Sequence, residues 1–195
     1  MKTNLYLLLL SAILFWYPAA GQAPAVEWQK YLGGTNKDEA YAVQQISGGG
    51  YIVAGVTNSI NGDVTYLGAG YQDIWLVELT ASGDTVWTKC LGGWDWEYSP
   101  AIMQTAGPEG GYILSGGTKS NDRDVSGNHG DIDFWVAKLD AVGKVKWQRC
   151  LGGTSTDLAS SIRQTTDGGY IVAGYTMSVD HDVTDNHGTG TPDFW

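Results

Sequence analysis

The chain has little positive charge for its size. Its 195 residues include 11 Lys and Arg against 21 Asp and Glu, which gives a formal net charge of −10. Nucleic acids and anionic membrane surfaces are bound by concentrated Lys and Arg, so this composition argues against both as partners. An acidic surface suits cations or simply keeps a protein soluble, and solubility is the simpler interpretation.

Phenylalanine and proline are also scarce, and no stretch after the N-terminal region has helical periodicity of useful length. The chain has 3 Phe and 5 Pro, but 28 Gly, 9 Trp and 11 Tyr. Such a composition is typical of a turn-rich all-β protein with aromatic packing, and it argues against a helical or disordered chain. The length is sufficient for one ordinary domain with a buried core.

Two sequence markers recur with a period of about 60 residues. The tripeptide Asp-x-Trp and the motif Trp-x-x-x-Leu-Gly-Gly each occur three times, with their tryptophans at Trp75, Trp135 and Trp195 and at Trp28, Trp87 and Trp147. A period that survives changes in loop length indicates a structural repeat. The repeats occupy 28–86, 87–146 and 147–195, and the third is truncated.

Each repeat divides into about four short strands. The Trp-x-x-x-Leu stretch alternates apolar and polar residues before Gly-Gly, which predicts a half-buried strand that ends in a turn. The stretches that begin at Tyr51, Tyr112 and Tyr170 are apolar on both faces, so each must be covered on both sides. The sequence therefore predicts an all-β fold, an incomplete β-propeller-like array of four-stranded repeat units.

The chain contains only two cysteines, Cys90 and Cys150, at the same position of consecutive repeats. Equivalent positions in neighbouring repeats are usually separated by more than the ~7 Å that a disulfide tolerates. We expect free, mostly buried thiols, with a bridge as the alternative that an oxidising compartment would allow.

The first 22 residues have the features of a secretory signal peptide. Lys2 supplies the charged start, residues 5–17 form an apolar core, and small residues follow at 19–23. The apolar run is shorter than the ~20 residues that a membrane span needs, so a membrane anchor is the weaker interpretation. We expect residues 23–195 to be exported, to the cell surface or beyond it.

One composite motif resembles a known repeat. Gln-Thr-x-Asp-Gly-Gly-Tyr-Ile-Val-Ala-Gly-x-Thr, with Asn-His-Gly, Asp-Phe-Trp-Val-x-Lys-Leu-Asp and Trp-Gln-x-x-Leu-Gly-Gly, is similar to the repeat of secreted β-propeller-like proteins from Bacteroidetes. The resemblance covers residues 28–195. It implies a propeller-like all-β fold, an extracellular or cell-surface location and export through the type IX secretion machinery, whose C-terminal sorting domain such proteins often carry. It implies no chemistry.

The chain departs from that family in two ways. No sorting domain is recognisable, and fewer than three full repeats are too few for the four to eight blades of a closed propeller. We therefore expect the chain to be the N-terminal part of a longer product.

The loops before Asp-x-Trp are rich in carboxylates. The candidate calcium ligands are Asp63, Asp122, Asp124, Asp180 and Asp182. Calcium requires six to eight oxygens in a flexible cage, but Asp and Asn also build tight turns by bonding their own backbone. Structural turns are the favoured interpretation, and calcium, the one cofactor considered, is the alternative. His129 and His187 recur in Asn-His-Gly and are interpreted as residues that fix the loop.

The second repeat breaks the pattern at residues 94–98, which read Trp-Asp-Trp-Glu-Tyr. Trp94 and Trp96, beside carboxylates, are candidates for a surface that stacks on sugars. Glu97 aligns with Asp38 and Asp157, which predicts a structural role for it. We predict no catalytic residue, because no nucleophile–base set or metal triad can be assembled.

These patterns predict an exported repeat scaffold for binding or adhesion at the cell surface, with a protein or glycan ligand and no catalytic activity in this segment. Two alternatives remain. One is the N-terminal part of a glycan-cleaving propeller enzyme whose active residues lie downstream. The other is a calcium-stabilised adhesion module.

Overall fold

The computed structural model describes residues 23, 25–65, 70–188 and 190–195, so the predicted signal peptide lies outside it. In these ranges the chain forms eleven β-strands and no helix, hence no helix that could cross a membrane. The strands are β1 (Asp38–Gln45), β2 (Tyr51–Thr57), β3 (Asp73–Leu79), β4 (Thr85–Leu91), β5 (Glu97–Gln104), β6 (Tyr112–Thr118), β7 (Asp133–Leu139), β8 (Val145–Leu151), β9 (Asp157–Gln164), β10 (Tyr170–Thr176) and β11 (Asp193–Phe194).

The strands form three antiparallel sheets in which each strand pairs with the next one along the chain. Sheet 1 contains β1–β4, sheet 2 contains β5–β8 and sheet 3 contains β9–β11, and none closes into a barrel. The predicted all-β array of repeated units is therefore confirmed.

Tight turns join the strands because the sequence places glycine where the backbone turns left-handed. Gly83 and Gly143, in the turns after β3 and β7, have φ of 85° and 76°. Gly168, in the turn between β9 and β10, has φ of 89°. Residues with a Cβ atom adopt this region of φ/ψ space only with strain, which explains the Gly in each turn.

The sequence repeat and the sheet are offset by one strand. The Trp-x-x-x-Leu stretch that opens the second repeat is β4, the last strand of sheet 1, and the stretch that opens the third repeat is β8, the last strand of sheet 2. The first copy, residues 28–32, was predicted to be a strand, but in the described chain it pairs with no other strand. Hydrogen bonding thus groups the strands differently from the sequence markers.

The sheets stack face to face. The first strand of each later sheet, β5 or β9, packs across the preceding sheet. Ile102 of β5 lies in a core with residues of sheet 1 such as Ile52 and Ile74, and Ile162 of β9 packs against Ile113 of sheet 2. Sheet 2 is therefore covered on both faces, which confirms for β6 the prediction made for all three Tyr-Ile strands. The prediction does not hold for β10, where Ile171 is 62% exposed because no further sheet of the described chain lies on it.

The cysteines are free and buried, as predicted. Each lies in the last strand of a sheet. Burial raises the pKa of both Cys90 and Cys150 to about 12, so neither thiol is ionised at neutral pH.

Candidate functional site

A carboxylate begins the first strand of each sheet, fully buried in sheets 2 and 3 and half-buried in sheet 1. In sheet 2, Glu97 is fully buried and accepts a hydrogen bond of 2.8 Å from the Thr118 hydroxyl. Asp157 of sheet 3 accepts hydrogen bonds from the hydroxyls of Thr176 and Ser178. Asp38 of sheet 1 is held by Thr57 and Ser59 in the same way. The structural role predicted for Glu97 agrees with this repeated geometry.

The carboxylates explain the Leu-Gly-Gly signature. A Cβ on Gly92 would lie 2.2 Å from Glu97 Oε2, and one on Gly152 would lie 2.6 Å from Asp157 Oδ2. The second glycine is equally confined, because a Cβ on Gly93 would lie 2.4 Å from Ser120 Cβ. Real Cβ atoms do not approach other atoms this closely, so both positions require glycine.

A second buried carboxylate faces the first across each sheet-to-sheet interface. Asp73 Oδ1 lies on the same side of Gly92 as Glu97 Oε2, 2.7 Å from where a Cβ would be. Burial raises the pKa of Asp73 to about 6, although the positive charge of Arg123 acts to lower it. Burial raises the pKa of Glu97 to about 8, although hydrogen bonds from Ser120 and Thr118 act to lower it. At the next interface Asp133 and Asp157 flank Gly152 in the same arrangement.

The predicted calcium ligands lie in a loop that we call the clasp, residues 57–63, 118–124 and 176–182 of the three copies. Their carboxylates accept backbone N–H groups of the neighbouring Gly-Gly segment. Asp122 Oδ1 accepts from Trp94 N at 2.9 Å, and Asp180 Oδ1 accepts from Thr154 N at 2.8 Å. The other three have the same role, with Asp63 bound to Gly33 N, Asp124 to Gly92 N and Asp182 to Gly152 N.

Each of these carboxylates accepts a hydrogen bond from a different backbone amide. Within the part of the chain that the structure describes, no group of three or more His, Cys, Asp and Glu side chains is placed to hold a metal ion. The contacts are those of a structural turn. The calcium interpretation stays a prediction.

The recurring histidines fix the loop before Asp-x-Trp. His129 donates its backbone N–H to Asp133 Oδ2 at 2.9 Å and places Nδ1 2.8 Å from the same oxygen. His187 makes the same two contacts with Asp193. The unrepeated His181 packs against His129 with ring centroids 4.9 Å apart and planes tilted by 30°, a contact that the sequence did not indicate.

The two tryptophans predicted to bind a ligand have different neighbours. Trp96 lies between Tyr71 and Tyr98 in a row of three nearly parallel rings, with centroids 6.0 and 6.3 Å apart and interplanar angles of 7° and 17°. Trp94 is 51% exposed, and the Arg123 guanidinium carbon lies 4.2 Å from its ring centroid.

The row of rings lies where sheets 1 and 2 meet. Tyr71 comes just before β3 of sheet 1 and is 65% exposed, whereas Trp96 and Tyr98 come from sheet 2. A bridge between Gln72 and Trp96 holds the two backbones together. Tyr71, Tyr98 and Arg123 were not among the predicted site residues. The stacking of the two sheets brings Tyr71 to Trp96, and the fold of sheet 2 brings Arg123 to Trp94.

Charged groups border these rings. Lys119 and Asp131 form an ion pair with Nζ and Oδ1 2.7 Å apart, and both, with Asp95, act on the pKa of the Tyr98 hydroxyl, which burial raises. We call Tyr71, Trp94, Trp96 and Tyr98, with this polar border, the aromatic surface. It can pack apolar faces of a ligand and hydrogen-bond the ligand's polar groups.

The chain was compared with models of known protein families and with curated proteins. It matches none of either. The residues of the aromatic surface therefore have to be interpreted on their geometry.

Proposed function

We propose that this protein is an exported repeat scaffold that binds a linear glycan on the aromatic surface. Export is supported by the signal-peptide pattern of residues 1–22 and by the resemblance to secreted β-propeller-like proteins of Bacteroidetes. The stacked sheets supply a rigid frame, and the exposed loops between them carry the binding groups.

The row of parallel rings carries the proposal. Sugar rings present C–H faces that pack on aromatic rings, and their hydroxyls require hydrogen-bonding partners at the edge of such a surface. The parallel stacking of the three rings holds them in one orientation, so the row offers a preformed aromatic patch on which a sugar face can pack. The charges of Asp95, Lys119 and Asp131 border the rings and supply the polar partners.

Uniqueness supports a binding role. The positions of Trp94 and Trp96 are occupied by Thr35 and Lys37 in the first copy and by Thr154 and Thr156 in the third. The backbone of the loop is nevertheless held by the same clasp contacts in all three copies. The aromatic side chains are thus an addition to a fold that forms without them.

Calorimetric titration with soluble linear oligosaccharides, including cellohexaose and chitohexaose, tests the proposal. We expect at least one of them to bind, and we expect Tyr71→Ala and Trp94→Ala to weaken that binding at least about tenfold, the loss of about 1.4 kcal/mol. Tyr41→Ala is the matched control, because Tyr41 is also about half exposed but lies outside the surface. If no oligosaccharide binds, or if the two variants bind as well as Tyr41→Ala, the proposal is wrong.

The same mixtures discriminate binding from cleavage. A scaffold leaves the oligosaccharides intact, so chromatography of the incubated mixtures should detect no shorter products. Release of shorter sugars would support the glycan-cleaving alternative instead.

A further inference from the structure

Two histidine side chains from different sheets meet where sheets 2 and 3 stack. His129 lies in the loop before β7 of sheet 2, and His181 lies in the clasp of sheet 3. Their ring centroids are 4.9 Å apart. The chain has three histidines in all, so this contact uses two of them. The clasp itself does not require a histidine, because the other two copies form it with Gly62 and Arg123 at this position.

The ring of His129 is held in one orientation by a buried carboxylate. Asp133 is 0% exposed, and its Oδ2 accepts the backbone N–H of His129 and lies 2.8 Å from Nδ1 of the same residue. Because this oxygen is the acceptor, Nδ1 carries the hydrogen and the lone pair of the neutral ring is on Nε2. The side chain is 29% exposed, so solutes reach the ring. Histidines that bind metal ions are oriented in the same way, with the other ring nitrogen bonded to a carboxylate.

The backbone of His181 is fixed from both sides. The residues before and after it, Asp180 and Asp182, hydrogen-bond backbone groups of residues 152–154. Between them His181 has φ of 55°, a left-handed conformation that glycine adopts at lower cost, as Gly62 does in the first copy. Residues held in such conformations are concentrated at functional sites.

The separation of the two rings is the one that a shared metal ion requires. Zinc binds imidazole nitrogens at ~2.1 Å, and the bonds of a tetrahedral site diverge by about 109°. Each ring centroid then lies about 3.2 Å from the metal, so the two centroids are about 5 Å apart. The observed 4.9 Å agrees with this value. The His181 side chain is exposed, so its ring is free to turn a nitrogen towards the ion.

The chemistry of the two side chains selects the class of metal ion. Neutral imidazole suits zinc, copper and nickel, whereas calcium and magnesium prefer oxygen ligands. The nearby carboxylates have other partners, since Asp133 binds His129 itself and Asp180 binds Thr154. Two protein ligands leave positions for water. This agrees with the finding that the described residues contain no group of three metal-binding side chains.

We propose that His129 and His181 bind one divalent transition-metal ion, such as zinc, with water completing its coordination. The ion joins the loop before β7 to the clasp of the next sheet, and it thereby cross-links sheets 2 and 3. An ion that binds only the folded chain stabilises that state. The site is independent of glycan binding by the aromatic surface.

The third histidine provides an internal control. His187 contacts Asp193 as His129 contacts Asp133, with its Nδ1 3.1 Å from the carboxylate. Its side chain is 92% exposed, and in the described part of the chain no second imidazole packs against it. It should therefore contribute little to binding of a metal ion.

Calorimetric titration with zinc chloride tests the site. The protein carries no polyhistidine tag, and about 0.15 M salt screens the general attraction of cations to the acidic chain. We expect about one zinc ion per chain. His181→Gly and His129→Asn each remove one ligand and should weaken zinc binding at least about tenfold, whereas His187→Asn should bind zinc as wild type does. Calcium chloride should give no comparable binding.

The two ligand variants are chosen to preserve the fold. Glycine is the residue of the first copy at the position of His181 and adopts the left-handed backbone without strain. The amide of His129→Asn retains an N–H that can donate to Asp133. Without metal, His181→Gly should therefore keep the wild-type melting temperature. Zinc should raise the melting temperature of wild type and leave that of His181→Gly unchanged.

Copper(II) reports the ligands directly, because imidazole binds it and nitrogen ligands split its electron paramagnetic resonance signal. Wild type should show coupling to two nitrogens and His181→Gly to one. The native thiols are buried and un-ionised, so they should not compete for the ion.

Three results would overturn the proposal. They are zinc binding no stronger than calcium binding, zinc binding that His181→Gly leaves unchanged, and a loss of affinity in His187→Asn equal to that in His181→Gly. Any of them would mean that the rings of His129 and His181 only pack against each other.

Discussion

At the scale of single residues, the carboxylate behind each Leu-Gly-Gly is the most constrained group. The side chain of Glu97 is longer than those of Asp38 and Asp157. Each of the three nevertheless accepts a hydrogen bond from the hydroxyl of the Thr at the end of the neighbouring strand. Glu97 is the extreme case. It is fully buried and has a second carboxylate, that of Asp73, on the same side of Gly92. Two buried carboxylates that face each other favour the protonated form.

The raised pKa of Glu97 predicts how stability depends on pH. The folded protein binds this proton up to a pH of about 8, whereas the unfolded chain releases it near 4.5. The folded state therefore holds more protons between these values. The stabilisation is complete below about pH 4.5 and is lost as the pH rises through about 8, by on the order of 1 kcal/mol per pH unit.

Glu97→Gln tests this dependence. The amide keeps an acceptor for Thr118 but has no proton to lose, so urea unfolding at a series of pH values should show a flatter profile and a higher free energy of unfolding than wild type at about pH 8. The exposed Glu109→Gln should retain the wild-type slope. A variant as pH-dependent as wild type would show that Glu97 does not titrate in this range.

A second residue-scale prediction concerns the tryptophan of Asp-x-Trp. Trp135 Nε1 donates to Gln148 Oε1 at 3.0 Å, whereas Trp75 Nε1 is buried and has no hydrogen-bond partner among the described residues. The residue equivalent to Gln148 in sheet 1 is Thr88. Thr88→Gln supplies the missing acceptor, so we expect the free energy of unfolding to rise by about 1 kcal/mol.

Thr88→Met is the control, because its side chain has similar length but lacks the amide oxygen. If chemical denaturation finds the two variants equally stable, hydrogen bonding to Trp75 is not the cause of any gain.

At the scale of elements, the clasp is the part of each repeat that links neighbouring loops. Its next-to-last residue has a left-handed backbone in all three copies, with φ of 70° at Gly62, 56° at Arg123 and 55° at His181. Only the first copy uses glycine there. Arg123 and His181 instead contact aromatic rings, those of Trp94 and His129. The conformation is thus imposed by the hydrogen bonds on either side of it.

The clasp contacts predict that the stability of the protein depends on an acceptor oxygen at residue 122 and not on a negative charge there. Asn61 has the same role in the first copy, where its Oδ1 accepts from Thr35 N at 3.0 Å. Asp122→Asn should therefore keep the melting temperature within about 2 °C, while Asp122→Ala should cost about 1 kcal/mol.

Calcium should leave the melting temperatures of all these proteins unchanged. A rise with calcium that is lost when Asp124 and Asp182 become Asn would contradict the clasp as a purely structural device and would support the metal site. Differential scanning calorimetry with calcium and with a chelator measures both arms.

At the scale of the whole molecule, the sheets shelter one another unequally. Sheet 2 is covered by sheet 1 on one face and by sheet 3 on the other, whereas among the described residues sheets 1 and 3 each leave one apolar face exposed. All residues of β6 and β7 are buried, but β10 contains the exposed Ile171. Burial of this kind sets the free energy of local opening.

Hydrogen exchange of the protein should therefore be slowest in sheet 2. We expect amides of β6 and β7 to exchange at least about tenfold more slowly than those of β2 and β10, a difference of about 1.4 kcal/mol in opening free energy. Uniform protection across the three sheets, measured by mass spectrometry, would mean that the array opens only as one unit.

The sequence alone determined the fold class, the period, the turns and the free cysteines. These follow from local causes: the alternation of apolar residues, glycine where φ is positive, and markers that repeat every 60 residues or so. The structural role of Glu97 was also predictable, because its alignment with Asp38 and Asp157 is visible in the repeat.

Only the tertiary structure decided which strands share a sheet and which rings meet. The Trp strand belongs to the preceding sheet because β4 hydrogen-bonds β3, a pairing that sequence periodicity does not contain. Tyr71 reaches Trp96, and Phe194 is exposed where Ile74 is buried, because neighbouring sheets stack or fail to stack. A repeat specifies each module locally, but what lies against a module depends on contacts between residues far apart in the chain.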